Sequence, residues 1–440
     1  MALLTACLIT STMLLSACGT APSSSSAAPS ESEAVSSAAP EAKTITVWAW
    51  DDKFNVAIMK TAAEYYKKLK PDANVTIEVV PNSKEDVYKK LQTGLASGGK
   101  SLPDITLIED YSISQYLNAY AKYFYPLNDD INYDEFSPYK VEVMTYDGKK
   151  YGIPFDAGVT GMFYRRDIFE QAGFKEADLQ NITWDQFIDI GKTVKEKTGT
   201  ALTVVSAANY SSLFRLMMQS AGQWYFNADG SLNISGNAAL RESLEVTKRM
   251  RDAGVLLESQ DDAGVAAAIN GGTTATVVNA AWRISTVKAE PSQSGKWGIA
   301  PTPRLNVEGA TNASNTGGSS WYVIDNGQDK APIVDFLKTV YAGDKDFYAK
   351  ILVDQGALCT WLPAQTGDVF QTADEFFAGQ KVYADFSSWL PKIPAVNYGE
   401  HVSEANAAVN AATFNYLQGT TDIEAALKAA EEQLKNQIGG

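Results

Sequence analysis

Apolar and polar side chains alternate over residues 43–50, with Ile45, Val47 and Ala49 on one face and Thr44 and Thr46 on the other. That period of two predicts a first β-strand. Over 54–69 the apolar positions recur every three or four residues and stop before Pro71, which predicts a helix. Residues 75–80 read as a second strand and 104–108 as a third. Between them, Ser83 followed by Asp86 gives a capping-box-like start to a helix running to about Ala96. A βαβαβ opening predicts an α/β fold on a parallel, doubly wound sheet with right-handed crossovers.

The pattern continues through the rest of the chain. Residues 146–149 (Tyr-Asp-Gly-Lys) predict a hairpin turn, because Asp-Gly suits the positive φ angles of a tight loop. Helices are expected over 184–197, capped by Thr183 and Gln186, and over 238–253. Residues 227–230 (Asn-Ala-Asp-Gly) form another turn; a calcium loop is disfavoured because the bidentate Glu it needs is absent. Amphipathic helices follow over 405–417 and 423–437, the second capped by Thr421 and Glu424. No internal repeat of solenoid length occurs.

Composition changes the picture at the front of the chain. Residues 2–17 are apolar and uncharged but too short for a confident membrane span, and Leu15-Ser16-Ala17-Cys18-Gly19 closes the run. That segment resembles the lipobox of bacterial lipoprotein signals, which implies a signal peptide over 1–17 and lipidation of Cys18. Residues 21–40 are almost wholly Ser, Ala, Pro and Glu and cannot bury enough apolar area to offset their ordering entropy, so 18–43 reads as a flexible tether. The remaining 400 or so of the 440 residues exceed what one core usually supports, which predicts two lobes. A net charge of −15 argues against nucleic acid or an anionic membrane surface as the main partner. With Cys7 in the signal and Cys18 lipidated, Cys359 stands alone and no disulfide is expected in the mature chain. No later stretch is apolar enough to cross a bilayer.

Several attractive motifs fail on context. Residues 94–101 match G-x-x-x-x-G-K-S, but a helix enters and a strand leaves, the reverse of a phosphate loop. A glycine-rich helix stop is the better reading. His401 is the only histidine, which rules out two-histidine metal motifs and leaves one candidate for any triad. A surface histidine and a buried, inert Cys359 are expected. No cofactor and no metal is implied. Adjacent acids at Asp51-Asp52, Glu109-Asp110, Asp129-Asp130 and Asp261-Asp262 mostly read as solvated loops or helix caps.

Two of those pairs stand where ligands bind. Trp48, Trp50, Asp51 and Asp52 follow the first strand, and Glu109, Asp110 and Tyr111 follow the third. Open α/β sheets bind ligands beyond the carboxyl ends of their strands. Trp48 is assigned to the core; Trp50, Asp51, Glu109 and Asp110 are assigned to a site.

Residues 147–154 (Asp-Gly-Lys-Lys-Tyr-Gly-Ile-Pro) followed by 163–167 (Phe-Tyr-Arg-Arg-Asp) are similar to a hinge-and-strand signature. It belongs to the family 1 extracellular solute-binding proteins of bacterial ABC importers, the group that includes maltose-binding protein. Residues 102–105, 295–301 and 317–320 support the likeness in the same order, and it covers nearly the whole mature chain. The resemblance implies a two-lobed periplasmic-binding-protein-like fold, each lobe a doubly wound sheet flanked by helices, joined by hinge segments. Its lobes would be 44–155 with about 315–360, and 156–314 with about 361–440.

The resemblance further implies a carbohydrate held in the inter-lobe cleft and delivered to ABC permease subunits by a monomeric, non-enzymatic receptor. That receptor would sit on the outer face of a bacterial, Gram-positive cell membrane, anchored only by lipid. It places Asp52 and Lys53 at the ligand, with Trp50 and Asp51 as equal candidates, and implies contacts at Glu109, Asp110 and Asp156. Residues 279–282 (Asn-Ala-Ala-Trp) resemble the segment that presents an aromatic, here Trp282, to a sugar ring. The loop holding Gly318 and Ser319 would supply amides and hydroxyls; Trp224, and in the looser last third Trp361, Trp389 and Tyr398, complete the candidates. The chemistry is coherent with a sugar, whose C–H faces stack on indoles while its hydroxyls bind carboxylates and amides. A secreted glycoside hydrolase using a carboxylate pair, or a sugar-binding surface sensor or adhesin, are the alternatives.

Overall fold

In a computed structural model of the chain, residues 42–439 are described. The signal at 1–17, lipidation of Cys18 and nearly all of the tether over 18–43 fall outside that range, although Lys43 already belongs to the first strand.

In chain order the strands of the first sheet are β1 (Lys43–Ala49), β2 (Val75–Pro81) and β3 (Ile105–Glu109). A short hairpin, β4 (Thr145–Tyr146) and β5 (Lys149–Lys150), precedes β6 (Gly152–Asp156). The second sheet takes β7 (Thr160–Arg165), β8 (Ala201–Ser206), β9 (Leu256–Ser259), β10 (Thr274–Ala280) and β11 (Trp297–Pro301). Finally β12 (Ser319–Val323) returns to the first. The orders are β2-β1-β3-β12-β6 and β11-β7-β10-β8-β9. Strands β2, β1 and β3 are parallel, as the βαβαβ pattern predicts. Both sheets are nonetheless mixed, since β12 runs antiparallel to β3 and β6, and β7 antiparallel to β10 and β11. These strands enter from the other lobe without a crossover helix, a reversal that periodicity cannot reveal.

Local signals explain most element ends. Ser83 accepts the Asp86 amide and starts helix Lys84–Ala96, and Thr183 with Gln186 forms a reciprocal capping box on helix Trp184–Thr198. Asp147 and Gly148 take positive φ angles of 48° and 70° between β4 and β5. The glycines after Ala96 end that helix, with the Gly99 amide donating to the Gly94 carbonyl. One cap differs: Asp422, not Thr421, accepts the Ala425 amide at 2.8 Å and starts helix Ile423–Ile438. Asp is the stronger acceptor and sits at the N-cap itself.

The chain passes between the sheets at 156–160 and again at 301–319. Three extended segments lie side by side there: the Ala157 amide donates to Leu358, Thr160 to Ser314, and Thr316 to Gly158, at 2.8 to 3.1 Å. Helices Asn55–Leu69, Ala331–Tyr341 and Lys345–Gln355 pack with the first sheet. Helices Ser211–Ser220, Ala238–Asp252, Val402–Leu417 and Ile423–Ile438 build the core of the second lobe. This hinge-crossed pair of sheets aims the carboxyl ends of β3, β8 and β10 at one space. Among the described residues, no helix is long and apolar enough to cross a membrane.

Candidate functional site

That space is a cavity of about 440 Å³, within the roughly 300–1,000 Å³ typical of small-molecule sites. From the first lobe Glu109, at the end of β3, meets it together with Lys84, whose Nζ lies 3.2 Å from the Glu109 carboxylate. From the second lobe come Ser206 at the end of β8, Asn279 near the end of β10, and Trp282 just beyond. The Asn279 Oδ1 accepts the Ala280 amide at 2.8 Å, which leaves its NH2 group to donate into the cavity.

Trp282 is the outstanding apolar surface there, 41% exposed. Its Nε1 donates to the Thr316 carbonyl at 3.3 Å, and the Arg283 guanidinium lies 4.6 Å from its ring centre. Arg283 is fixed in turn by two bonds to the Asp262 carboxylate, at 2.5 and 3.1 Å. The indole is therefore presented in one orientation, with its hydrogen-bonding atom already used.

Beneath the cavity lies a buried polar layer. Lys140 Nζ reaches Asp110 at 2.6 and 2.8 Å and the Ser319 carbonyl at 3.0 Å, with both side chains shielded from solvent. Asp156, at the first crossing, accepts the Ser319 amide at 2.7 Å. Burial pushes its carboxyl up to about 6, against the pull of Lys140. Gly318 has φ of 94°, and a Cβ there would stand 2.7 Å from an Asp110 oxygen that Lys140 holds in place. Only glycine fits.

The structure thus divides the sequence-derived candidates. Glu109 and Trp282 line the cavity together. Asp110, Asp156, Gly318 and Ser319 do not; they form the support below it, where both carboxylates and the Ser319 amide are spent on neighbours. Asp51 also falls outside: at φ of 61° its carboxylate accepts the Lys53 and Phe54 amides and shapes the turn after β1. Asp52 is exposed beside it, and Trp50 packs edge-on to Tyr88 at 5.6 Å instead of facing the cavity. Trp48 is only half-buried, with Lys90 over its ring. Trp361 sits in the first lobe's core, against Tyr348, and its Nε1 donates to Glu135 at 3.0 Å. Trp224 is buried in a stack with Tyr111 and Tyr398, one layer behind the cavity wall. Cys359 is buried, and that burial raises its thiol pKa well above the ordinary range.

Pattern reading missed Tyr111, Arg215, Lys84 and the Asp262–Arg283 pair. One signal was present: Arg215 is the single charge in helix Ser211–Ser220, whose other side chains are all neutral. A larger groove of about 860 Å³ also runs between the lobes, past Asn118, Asn397 and His401. It has volume but no indole, so the smaller cavity is the better-built site.

Two α/β sheets joined by paired crossings, with a cavity at their strand ends and polar groups contributed from both sides, define a two-lobed binding protein. Comparison with known proteins gives the family: residues 61–378 match the bacterial extracellular solute-binding protein model, and the chain belongs to that family. The chain is 49% identical over 395 residues to the lactose-binding protein of Rhizobium radiobacter, covering 90% of this chain and 93% of that one. It is 24% identical to the arabinooligosaccharide-binding protein of Halalkalibacterium halodurans, covering 87% and 86%. Among solved structures, the sugar-binding protein MalE of Xanthomonas citri superposes with a TM-score of 0.75 at 19% identity, over 90% of this chain and 98% of that one.

Proposed function

We propose that this protein captures a neutral disaccharide of the β-galactoside type, with lactose as the reference ligand, and hands it to the permease of an ABC importer. The observation that carries the reading is Trp282, a fixed and exposed indole in a cavity where amides, hydroxyls and paired charges stand among aliphatic side chains such as Val205 and Leu216. A pyranose offers that surface one apolar face and a ring of hydroxyls. The 49% identity to a lactose-binding protein supports galactosides over other sugars. Glu109 and Asp262 are both engaged by cations, an arrangement suited to accepting sugar hydroxyls, and incubation with lactose should yield no hydrolysis products.

Because Glu109 and Trp282 belong to different lobes, sugar contacts both and favours a closed state that the permease would recognise. The lobes divide as 44–155 with about 315–360, and 156–314 with about 361–440, except that Trp361 stays with the first. Acylation of Cys18 would anchor the body outside the cell, each buried methylene adding about 0.8 kcal/mol. Titrating a panel of mono-, di- and oligosaccharides against tryptophan fluorescence tests the ligand class, and silence across the panel would reject it. A Cys18→Ala protein released to the medium supports the anchor; one retained on membranes contradicts it.

A further inference from the structure

Tyr111 lies in the first turn of helix Asp110–Tyr120 of the first lobe, yet its ring is packed in the core of the second. It lies nearly parallel to Trp224, at 18° with 5.6 Å between ring centres, and edge-on to Tyr398 at 4.8 Å. The Arg215 guanidinium sits 4.8 Å from its ring centre, and its hydroxyl accepts the Gly317 amide at 3.0 Å. A flat ring stacked on an indole, with its hydroxyl bonded to backbone, is how a pyranose would sit on Trp224.

The position of this stack matters. Tyr111 and Arg215 line the 440 Å³ cavity. Trp224 and Tyr398 line a separate space of about 460 Å³, which shares walls at Val143, Phe226 and Asn397 with the larger groove. The aromatic stack is therefore the wall between the 440 Å³ cavity and the space that leads into the larger groove. Trp224 carries a further sign: it is 1% exposed and its Nε1 is a buried donor with no acceptor. A ligand hydroxyl would satisfy it, and the phenol ring now against it does not.

We infer that Tyr111 is the residue that sets ligand chain length: seated on Trp224, it ends the cavity after a short saccharide. Without that ring, Trp224 and Tyr398 become a further stacking platform that continues into the groove. This inference rests on the sugar reading above.

The test is calorimetric titration with lactose and with two trisaccharides that add one galactose at either end of it, using the wild type, Tyr111→Ala and Tyr111→Phe. For the wild type, at least one trisaccharide should bind ten-fold or more weakly than lactose. In Tyr111→Ala the ratio of that trisaccharide to lactose affinity should rise at least ten-fold, while Tyr111→Phe, which keeps the ring, should hold the wild-type ratio. A wild type that takes both trisaccharides as well as lactose overturns the inference without any variant, even if Tyr111→Ala does not fold. An unchanged ratio in a folded Tyr111→Ala overturns it too. Failure of the wild type to bind any saccharide is the separate result that removes the sugar reading and this inference with it.

Discussion

Lys140 and Asp110 form a two-point ion pair, 2.6 and 2.8 Å long, with neither side chain reached by solvent. The same ammonium holds the Ser319 carbonyl, and Asp156 holds the Ser319 amide. The loop that floors the cavity is thus pinned at one residue from both sides by buried charge.

Removing one partner of such a pair leaves the other charge buried and alone, at a cost of about 3–5 kcal/mol. Lys140→Met should lose stability on that scale in urea unfolding. The double variant Lys140→Met with Asp110→Asn should recover most of it, because no bare charge remains. Strictly additive losses would show that the two side chains do not act as a pair.

Asp156 supplies a pH signature. Its folded-state value of about 6 lies above the ordinary 3.8, so between those pH values the folded protein binds more protons than the unfolded chain. Stability from this group is therefore full below pH 3.8 and is lost as pH rises through 6, by about 1.4 kcal/mol for each pH unit separating the two values. Asp156→Asn keeps an oxygen for the Ser319 amide and cannot ionise. Its melting temperature relative to wild type should climb across pH 4 to 7, whereas a constant offset would contradict the assignment.

Trp361 separates packing from binding. Its ring fills the first lobe's core and its Nε1 bonds Glu135, away from the cavity. Trp361→Phe should cost roughly 1–3 kcal/mol of stability, from the lost bond and contacts, and leave sugar affinity within about two-fold. A large affinity loss at unchanged melting temperature would return Trp361 to the site.

These contrasts explain what could be read from the chain. Strand β1, helix Lys84–Ala96 and the 146–149 turn were legible because period, caps and Asp-Gly chemistry act within a few residues. Glu109 was legible from its place at the end of the third strand, and Trp282 from the likeness of residues 279–282 to the family's aromatic-presenting segment. Asp110 follows Glu109 by one residue, yet the start of helix Asp110–Tyr120 turns it inward to Lys140, thirty residues away. Asp51 was captured by its own turn. Such partners are set by tertiary contacts, and neither Lys140 nor Arg215 advertises its partner in the local pattern.

The most direct measurement is calorimetric titration of the purified protein with lactose, wild type against Trp282→Ala. Losing a central, desolvated aromatic anchor typically costs about 2 kcal/mol, roughly thirty-fold in affinity. Saturable wild-type binding, weakened on that scale in a variant with unchanged circular dichroism, is the expected result. Undiminished lactose affinity in Trp282→Ala would contradict the claim that this cavity is the sugar site.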